Sequence, residues 1–571
     1  MDKKWVIKEK GDIVITEQLA KSLEIDNKFA NLLVQRGIHT SDEARSFFAP
    51  DLTDLHDPFL MKDMNIAVDR ISSAIDRNEK ILVYGDYDVD GTTSVALVYS
   101  FFKKIYSNLD FYIPDRYEEG YGISYMGIDW AVENNFSLII ALDCGIKAIN
   151  KVDYATGKGV EFIICDHHLP DEKIPVATAV LDPKRVDCNY PYKELSGCGV
   201  GFKLLQAYSI INDIPFSALI PYLDLVAVSI ASDIVPVTGE NRILAYYGLK
   251  QLNEDPGIGL KAIITESNMS KKKIRIGDIV FKIGPRINAA GIIESGRKSV
   301  ELLTAEDTGV AFEMSRKIND FNVERRKIDQ NITQEALQMI SSDPKLENTK
   351  STVVYDSGWH KGVIGIVASR LTETYYRPTV VLTESDGLAT GSARSVFGFD
   401  LYKAINACSD LLENFGGHMY AAGLTMKKEN IPLFRQRFEE AVSNTILDDQ
   451  LIPRIEVDME FNLEDISEDF FYILEKFQPF GPGNMSPLFV SRNVCDSGNG
   501  RAVGSTGEHL KLEIIKKGES VKAMPAIAFN MSNHLSHIKE GKPFDVCYSI
   551  EMNEFRGESN LQLNVKDIKE K

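Results

Sequence analysis

The sequence lacks the features that define several common classes of protein. Its seven cysteines include no C-x-x-C pair, which excludes a disulfide framework and a zinc knuckle and predicts buried free thiols in a reducing cytoplasm. No apolar run approaches the length of about 18 residues that a membrane helix needs. No apolar signal segment follows the first residues. We therefore expect a soluble, cytoplasmic protein without a membrane partner.

Positive charge is also scarce, because 64 Lys and Arg stand against 83 Asp and Glu and the net charge is -19. This balance argues against a surface coated by nucleic acid, although it permits a local basic channel. A chain of 571 residues with 44% hydrophobic and 26% charged residues has the composition of a globular protein. Its length predicts about three to four domains.

The most informative stretch covers residues 80–91. A short apolar run ends in a loop that carries Asp86, Asp88 and Asp90, and Gly91 then leads into an apolar segment typical of a helix. Three carboxylates this close repel one another strongly unless a cation lies among them. The pattern resembles the first half of a calcium-binding EF-hand loop, but the twelfth position is Leu97 instead of Glu and a strand leads in, which excludes that motif.

Apolar strands and helices alternate after this loop, which predicts a mainly parallel sheet. The predicted strands 137–142 and 161–165 end at Asp143 and at Asp166-His167-His168, and a later apolar stretch, 223–230, closes near Asp233. Ligands bind beyond the carboxyl ends of parallel strands. Carboxylates mixed with imidazole predict a site for Mn²⁺ or Mg²⁺.

These acidic and histidine-bearing segments resemble the four motifs of the DHH phosphoesterase superfamily. Within that superfamily, further segments are similar to the RecJ single-strand exonucleases. The similar segments are residues 112–116, 119–122, 284–291, 358–365, 391–395 and 416–423. The match extends in order from about residue 20 to the last residues.

The resemblance implies an exonuclease that degrades single-stranded DNA 5′→3′ to nucleoside 5′-monophosphates in recombination and repair. It implies one or two divalent ions, a single-strand-binding protein and a RecQ-type helicase as partners, and a monomer. Two alternatives stay open from the residues alone. One is a phosphoesterase acting on short oligonucleotides, cyclic dinucleotides or pyrophosphate; the other is a non-catalytic DNA-binding scaffold.

The resemblance also implies roles for individual residues. The implied ligands of the better-defined metal are Asp90, Asp143, His167 and Asp233, and those of the weaker metal are Asp88 and the shared Asp143. Asp86 and Asp166 would orient ligands, His168 would face the scissile phosphate, and Arg286 would bind the backbone near the cut. The other implied substrate contacts are Arg116, Asn288, His360, Ser392, Arg394 and His418.

Two positions depart from the family pattern. Many superfamily members have a His where this chain has Tyr84, which would leave one metal site a ligand short. After Gly291 the family often has Arg, whereas this chain has Ile292 and reaches Arg only at Arg297.

The second half of the chain predicts three further parts. Residues 304–340 predict one long helix whose charged face is solvated or, alternatively, faces DNA. Residues 351–447 return to alternating strand and helix, with a helix over 401–412. Near the C-terminus, short strands at 455–461, 510–515, 526–529, 544–550 and 561–565 predict a small barrel, for which the family implies an OB-fold. Candidate base-stacking residues there are Phe477, Phe480, His509 and Phe529.

The predicted fold is therefore multidomain α/β, with a parallel-sheet DHH domain, a connecting helix, a DHH-associated domain and a C-terminal OB-fold barrel. The predicted boundaries, in chain order, are an N-terminal helical segment 1–64, a catalytic domain 65–300, a connecting helix 301–345, an associated domain 346–450 and a barrel 451–571.

Overall fold

A computed structural model describes residues 2–516, 523–555 and 558–571. The chain divides into two compact units, one formed by residues 52–452 and the other by residues 1–51 together with 453–571. Among the described residues, none of the helices combines the length and the apolar character that crossing a membrane requires. The predicted boundaries of the five parts stay a prediction.

The N-terminal segment folds together with the C-terminal part of the chain. Its elements are β1 (Lys4–Ile7), α1 (Ile13–Leu23), α2 (Asn27–Val34) and α3 (Ser41–Phe48). Strand β1 pairs in parallel with residues 454–457. The buried residues Phe29, Leu32 and Leu33 belong to the same hydrophobic core as the C-terminal barrel. The three helices therefore cover that barrel and do not form a core of their own.

A five-stranded parallel sheet forms the centre of the first α/β region, with strand order β3-β2-β4-β5-β6. The strands are β2 (Lys80–Gly85), β3 (Leu109–Tyr112), β4 (Phe136–Leu142), β5 (Glu161–Cys165) and β6 (Ala179–Leu181). The helices are α4 (Met64–Asp76), α5 (Val89–Lys103), α6 (Tyr125–Glu133), α7 (Ile149–Gly157), α8 (Gly197–Ile211), α9 (Leu223–Ser232), α10 (Gly239–Glu254), α11 (Ile258–Glu266), α12 (Ile276–Asp278), α13 (Gly284–Ile293) and α14 (Gly296–Leu303).

The sequence explains this arrangement, because strands buried on both faces read as continuous apolar runs. Strands β2, β4 and β5 are almost entirely buried from their second or third residue onward. The Asp88 side chain accepts a hydrogen bond from Gly91 N (2.9 Å) and caps α5. The acidic loop therefore starts a helix at the carboxyl edge of the sheet.

The connecting helix α15 (Thr308–Ser342) is 35 residues long, which corresponds to about 52 Å at 1.5 Å per residue. It begins four residues later than predicted. Thr304 is the C-terminal cap of α14, and Asp307 caps the N-terminus of α15 by accepting a hydrogen bond from Val310 N at 2.8 Å. Ile318 lies in the core of the first α/β region, whereas Ile332 and Ile340 lie in that of the second. The helix therefore belongs to both cores.

The second α/β region has a mixed sheet with strand order β10-β11-β9-β8-β7. Its strands are β7 (Thr352–Tyr355), β8 (Thr379–Ser385), β9 (Leu388–Arg394), β10 (Leu412–Gly417) and β11 (Ala421–Met426). Its helices are α16 (Pro344–Glu347), α17 (Ile364–Tyr375), α18 (Leu401–Asn406) and α19 (Ile431–Thr445). The helix predicted over 401–412 was wrong in its second half, because Leu412 starts the β10–β11 hairpin by pairing with Met426.

The C-terminal region is a barrel-like sheet with strand order β13-β14-β18-β19-β17-β16-β15, and an additional β14–β16 pairing closes it. Its strands are β13 (Met459–Glu460), β14 (Phe489–Asp496), β15 (Arg501–Val503), β16 (His509–Lys516), β17 (Met524–Ala528), β18 (Phe544–Phe555) and β19 (Glu558–Glu570). Strand β12 (Arg454–Val457) precedes them in the chain. Its helices are α20 (Glu468–Glu475) and α21 (Leu535–Lys539). Strands β14 and β15 were missing from the prediction, and β12 pairs with β1.

Only part of the predicted aromatic set is available for stacking. Phe477 is fully buried, with its ring centroid 5.4 Å from that of Phe47 and 5.3 Å from that of Phe48, so the prediction that it stacks on bases was wrong. Phe480 packs partly buried against the same core. Phe529 is half exposed and meets His509 edge to face at 5.1 Å, which leaves this pair accessible.

Candidate metal centre and adjoining cleft

Acidic and histidine side chains from several segments converge at the carboxyl edge of the first sheet. Asp90 comes from the loop and helix after β2, Asp143 follows β4, and His167 follows β5. Asp233 comes from another kind of element, because the apolar stretch before it folds as helix α9 and Asp233 is the C-terminal cap. Parallel strands and one helix end therefore supply the site.

His167 lies at the centre of this group. Its Nε2 atom is 3.2 Å from Asp143 Oδ1, 3.5 Å from Asp233 Oδ2 and 3.7 Å from Asp90 Oδ2. Two overlapping sets place one possible ligand atom of each residue within 4.8 Å of the others: Asp90 with His167 and Asp233, and Asp143 with His167 and His168. The structure thus brings together the four residues predicted for the better-defined metal.

Asp90 is held by the start of helix α8. Its two carboxylate oxygens accept from Gly197 N at 2.7 Å and from Cys198 N at 2.8 Å, and Ser229 Oγ donates to it at 2.6 Å. Helix N-termini present free amide groups and a positive dipole end to anions. These bonds fix the orientation of Asp90 before any ligand binds.

Glycine is required at position 197 because the Asp143 side chain lies directly beside it. A Cβ atom added to Gly197 would lie 2.6 Å from Asp143 Cβ and 2.7 Å from Asp143 Oδ1. Asp143 itself has a left-handed backbone, with φ of 57°. The close approach of α8 and the turn after β4 therefore set the position of the Asp143 carboxylate.

Asp166 positions the two histidines. It accepts from His168 Nδ1 (2.8 Å) and from the backbone amides of His167 (2.7 Å) and Ile146 (2.9 Å). The other ring nitrogen of His168, Nε2, lies 3.3 Å from the Tyr121 hydroxyl. Asp166 thus fixes the His168 ring, whose Nε2 faces the accessible side of the site.

Asp86, Asp88 and Tyr84 differ in what they can contribute. Asp86 is buried and accepts from Gly122 N at 3.1 Å, and Asp88 caps α5. Asp88 belongs to neither of the two ligand sets among the described residues. The buried Tyr84 hydroxyl donates to the Gly122 carbonyl (3.0 Å) and accepts from Ser124 N (3.1 Å), so its hydroxyl is engaged by the backbone of the 122–124 loop.

Burial and mutual repulsion disfavour ionisation across the cluster. Burial, with the charges of Asp88 and Asp90 respectively, raises the pKa of Asp86 and of Asp233 to about 8. Burial and Asp90 raise the pKa of Asp143 well above its usual value. Asp166 differs: burial is the largest single influence and raises its pKa, but the hydrogen bond and charge of His168, the charge of His167 and the Ile146 amide together lower the pKa. Asp86, Asp143 and Asp233 would therefore ionise readily only beside a positive charge.

Buried polar atoms without hydrogen-bond partners indicate where a cation would bind. In the described part of the chain, both carboxylate oxygens of Asp143 and both ring nitrogens of His167 are buried without a hydrogen-bond partner. Burial lowers the pKa of His167, so its neutral ring keeps a lone pair for a ligand. Buried polar atoms are rarely left without partners. The donor set and these unpaired atoms fit a divalent cation of the Mn²⁺ or Mg²⁺ type.

The loop after β3 adjoins this centre, since the charge of Arg116 acts on Asp86 and Asp88. Arg116, in the loop after β3, lies over the Tyr87 ring at 4.3 Å and contacts Asn288 Oδ1 at 3.5 Å. Tyr117 in the same loop donates to the Ile292 carbonyl at 2.5 Å and meets the His360 ring edge to face at 5.8 Å. This loop therefore lies between the two α/β regions.

Ser392 and Arg394 lie on one face of β9, as their spacing predicts. Arg394 Nη1 donates to Ser392 Oγ at 2.9 Å. Both side chains approach the start of α17, because a Cβ atom on Gly365 would lie 3.0 Å from Arg394 Nη2 and 3.1 Å from Ser392 Oγ. His418 lies exposed at the β10–β11 turn, where its Nδ1 accepts from Tyr420 N at 3.2 Å.

The second departure from the family pattern has a packing explanation. Ile292 is buried in the core cluster of the second α/β region, together with Trp359 and Val363. Arg297 stacks over Phe111 at 4.5 Å and pairs with Glu301 at 3.1 Å. The position after Gly291 thus joins the two regions through apolar contact, and Arg297 does not replace the missing arginine there.

Sequence reasoning missed residues that orient the site. Ser229 and the Gly197 and Cys198 amides hold Asp90, and Tyr121 reaches His168. The Ser-Gly-Cys-Gly stretch at 196–199 was the available signal, since Ser is a preferred helix cap and Gly permits close approach. Ser229 carried no signal, because nothing in an apolar run distinguishes a serine that bonds a carboxylate.

Models of three protein families match separate stretches of the chain. The model of the DHH family, N-terminal domain, matches residues 80–230, that of the DHHA1 domain residues 348–444, and that of the RecJ OB domain residues 457–567. A crystal structure of RecJ from Thermus thermophilus in complex with Mn²⁺ superposes with a TM-score of 0.84 at 24% identity, over 100% of this chain and 80% of that one. It shares the fold.

Two relatives are similar enough in sequence to show the family. A crystal structure of exonuclease RecJ bound to manganese is 30% identical, with a TM-score of 0.60 over 70% of this chain and 98% of that one. The single-stranded-DNA-specific exonuclease RecJ of Bacillus subtilis (strain 168) is 38% identical over 566 residues, which cover 99% of this chain and 70% of that protein. The chain therefore belongs to the RecJ family of single-stranded-DNA-specific exonucleases.

Proposed function

We propose that this protein is a metal-dependent exonuclease that degrades single-stranded DNA 5′→3′ and releases nucleoside 5′-monophosphates. The observation that carries the proposal is the buried cluster in which Asp143 and His167 have no hydrogen-bond partner within the described residues. Membership of the RecJ family supports the substrate. The manganese in the relative that is 30% identical supports Mn²⁺ or Mg²⁺ as the cofactor.

The residues divide between holding metal and orienting its ligands. Asp90, Asp143, His167 and Asp233 would hold one cation, and Asp88 with the shared Asp143 a second. A divalent cation supplies Lewis acidity, which activates water and neutralises charge on the phosphoryl group. Asp86 and Asp166 would act through the ligands they orient. The hydrogen bonds that Asp166 accepts from His167 N and His168 Nδ1 support this role.

His168 and Arg286 are the proposed groups beside the scissile phosphate. The Nδ1 atom of His168 is engaged by Asp166, so Nε2 is the atom that can donate a hydrogen bond or a proton to the phosphate or the leaving oxygen. Arg286 donates to Asn319 Oδ1 (3.1 Å) and to the Lys282 carbonyl (2.8 Å). Both of its acceptors are neutral, which keeps its charge for an anion.

The proposed polarity rests on Arg394. Burial lowers the pKa of this arginine, and no carboxylate among the described residues offsets that burial. A half-buried guanidinium beside a hydroxyl, without a carboxylate partner among the described residues, fits a terminal phosphate, which offers several acceptor oxygens. Arg394 and Ser392, with Arg116 of the loop after β3, would bind the 5′ phosphate. Asn288, His360 and His418 are proposed to contact the strand nearby.

Polarity is tested with Arg394→Ala. It should slow digestion of 5′-phosphorylated strands much more than that of 5′-hydroxyl strands, because only the former present the terminal phosphate. Arg437→Ala is the matched control, since Arg437 lies in the same region but pairs with Asp410 at 2.7 Å. Equal slowing of both substrates would show that Arg394 is not an end sensor, and digestion from 3′ ends would overturn the polarity.

The activity itself is tested by incubating the protein with Mn²⁺ and three substrates: a long single strand, a dinucleotide and pyrophosphate. Rapid hydrolysis of the long strand, lost in Asp143→Ala, is the expected result. Faster hydrolysis of the dinucleotide or pyrophosphate would favour a small-substrate phosphoesterase. Binding of the strand without hydrolysis would favour a non-catalytic scaffold.

The cellular setting follows from the substrate. Single-stranded DNA arises by unwinding and is coated during recombination and repair, so we propose a RecQ-type helicase and a single-strand-binding protein as partners of a monomeric enzyme. All seven cysteines are free thiols, which supports a reducing, cytoplasmic location. Co-precipitation of purified partners with the full chain tests this.

A further inference from the structure

The connecting helix α15 carries two kinds of basic residues. Near its N-terminal end, Arg316 pairs with Glu266 at 3.3 Å and Lys317 with Glu313 at 2.8 Å. Further along the helix, Arg325 and Arg326 form no ion pair within the described ranges. The sequence favours a solvated charged face for the whole helix over a face that contacts DNA, but Arg325 is half-buried. The two groups of charges therefore need separate explanations.

Arg325 and Arg326 belong to an arginine cluster formed with Arg286 of α13 and Arg370 of α17. The charges acting most strongly on Arg325 are those of Asp329, Arg326, Arg370 and Arg286. Arg326 likewise acts on Arg286. Asp329 is buried and pairs with Arg370 at 2.6 Å. Four guanidinium groups against one carboxylate leave a net charge of +3 (4 − 1 = 3).

The neutral partners of the cluster do not offset this charge. Arg325 Nη2 donates to Asn322 Oδ1 at 2.9 Å, and its buried Nε has no partner among the described residues. Arg286 donates to an amide oxygen and a carbonyl. Like charges in a half-buried site repel one another and lose hydration. An anion that binds there would relieve both effects.

Resting on the proposed function, we infer that this arginine cluster is a second phosphate-binding subsite that contacts a phosphodiester of the DNA strand, separate from the Ser392–Arg394 pair. Arginine suits this ligand because its planar fork matches two phosphate oxygens. Continuity with the other proposed substrate contacts supports a strand, since Arg286 shares α13 with Asn288, whose Oδ1 lies 3.5 Å from Arg116. The helix that joins the two α/β regions would thus bind substrate directly.

The test measures binding of a 5′-phosphorylated single strand to the full-length protein in EDTA, by fluorescence anisotropy over a series of KCl concentrations. Removing one phosphate contact should reduce the slope of log K against log salt by about 0.7. We expect this reduction for Arg326→Gln and about twice as much for Arg325→Gln with Arg326→Gln. Arg326 is exposed, so its single variant should fold normally.

Arg316→Gln is the matched control, because it removes the same charge from the same helix at a carboxylate-paired position. An unchanged slope in the Arg326 variant, or an equal change in Arg316→Gln, would overturn the subsite. A parallel titration with dAMP tests the other source of phosphate. If dAMP inhibited turnover of the Arg326→Gln variant less than that of the wild type, while the slope of log K against log salt for strand binding stayed unchanged, the cluster would bind free nucleotide. That result would refute the contact with the strand.

The proposed function can fail independently of this inference. Wild-type protein that does not hydrolyse the long strand in Mn²⁺ contradicts the proposed function. Wild-type protein that hydrolyses it, while the arginine variants bind with the wild-type salt dependence, contradicts only the subsite.

Discussion

Substituting Gly197 by Ala should inactivate the enzyme without unfolding it. The added Cβ would lie 2.6 Å from Asp143 Cβ, whereas ordinary contacts begin at 3.4 Å, so the two backbones or the Asp143 side chain must move apart by 0.8 Å (3.4 − 2.6). A displacement of about 1 Å at a catalytic group can cost about 100-fold in rate. We therefore expect kcat to fall about 100-fold.

Stability should change much less than activity. Forcing an extra methyl group into a packed site costs about 1–3 kcal/mol, a small effect for a compact unit that spans residues 52–452. For the same substitution at Gly199, two residues along α8, the nearest atoms belong to Leu195 and Ser196 and lie 3.4 Å from the added Cβ. Gly199→Ala therefore provides a matched control with the same change in composition.

The assay compares kcat on a long single strand at saturating Mn²⁺, together with the Mn²⁺ concentration for half-maximal activity and the circular dichroism spectrum. The expected result is a native spectrum in both variants, with loss of turnover and weaker Mn²⁺ dependence only in Gly197→Ala. If Gly197→Ala kept the turnover of Gly199→Ala, the close approach of α8 would not control Asp143, and the reasoning would be refuted.

Three further outcomes follow from the structure. Asp143→Asn should abolish turnover yet raise the melting temperature in EDTA, because burial and the neighbouring carboxylates raise the pKa of Asp143 and folding without metal must therefore protonate it, a cost that Asn does not carry; a lower melting temperature would contradict this. Lys203→Met should cost about 3–5 kcal/mol in urea unfolding, since it leaves the buried Glu240 without its 3.0 Å partner, and adding Glu240→Gln should recover part of the loss. Phe529→Ala should weaken strand binding by about 1–3 kcal/mol at unchanged stability, whereas an effect on stability alone would assign Phe529 to the core.

The sequence predicts most of the metal centre because the carboxyl ends of parallel strands lie at one edge. Asp90, Asp143 and His167 follow three such strands, and the structure places them together. Asp233 reaches the same point from a helix, which an apolar run of that length cannot indicate, because a buried helix and a buried strand look alike. The hydrogen bonds that orient Asp90 depend on tertiary packing and were not predictable.

Irregular backbone explains why the sequence did not predict strand β14. Strand β14 has an irregular register between Ser491 and Val494, and Asn493 has φ of 56°. An extra residue in a strand interrupts the alternation of apolar and polar side chains. The hairpin of β10 and β11 was missed for a similar reason, since its register shifts between Leu412 and Asn414.

The shared core of residues 1–51 and 453–571 has a consequence for the order of folding during synthesis. These two segments are separated by 402 positions (453 − 51), and a ribosome adding about 5–20 residues per second needs about 20–80 s to cover them. Throughout that time Phe29, Leu32 and Leu33, all buried in the finished protein, lack the barrel residues that complete their core. Long-range pairings of this kind form late and slowly. Newly made chains should therefore depend on chaperones that shield the first fifty residues until the last strands emerge.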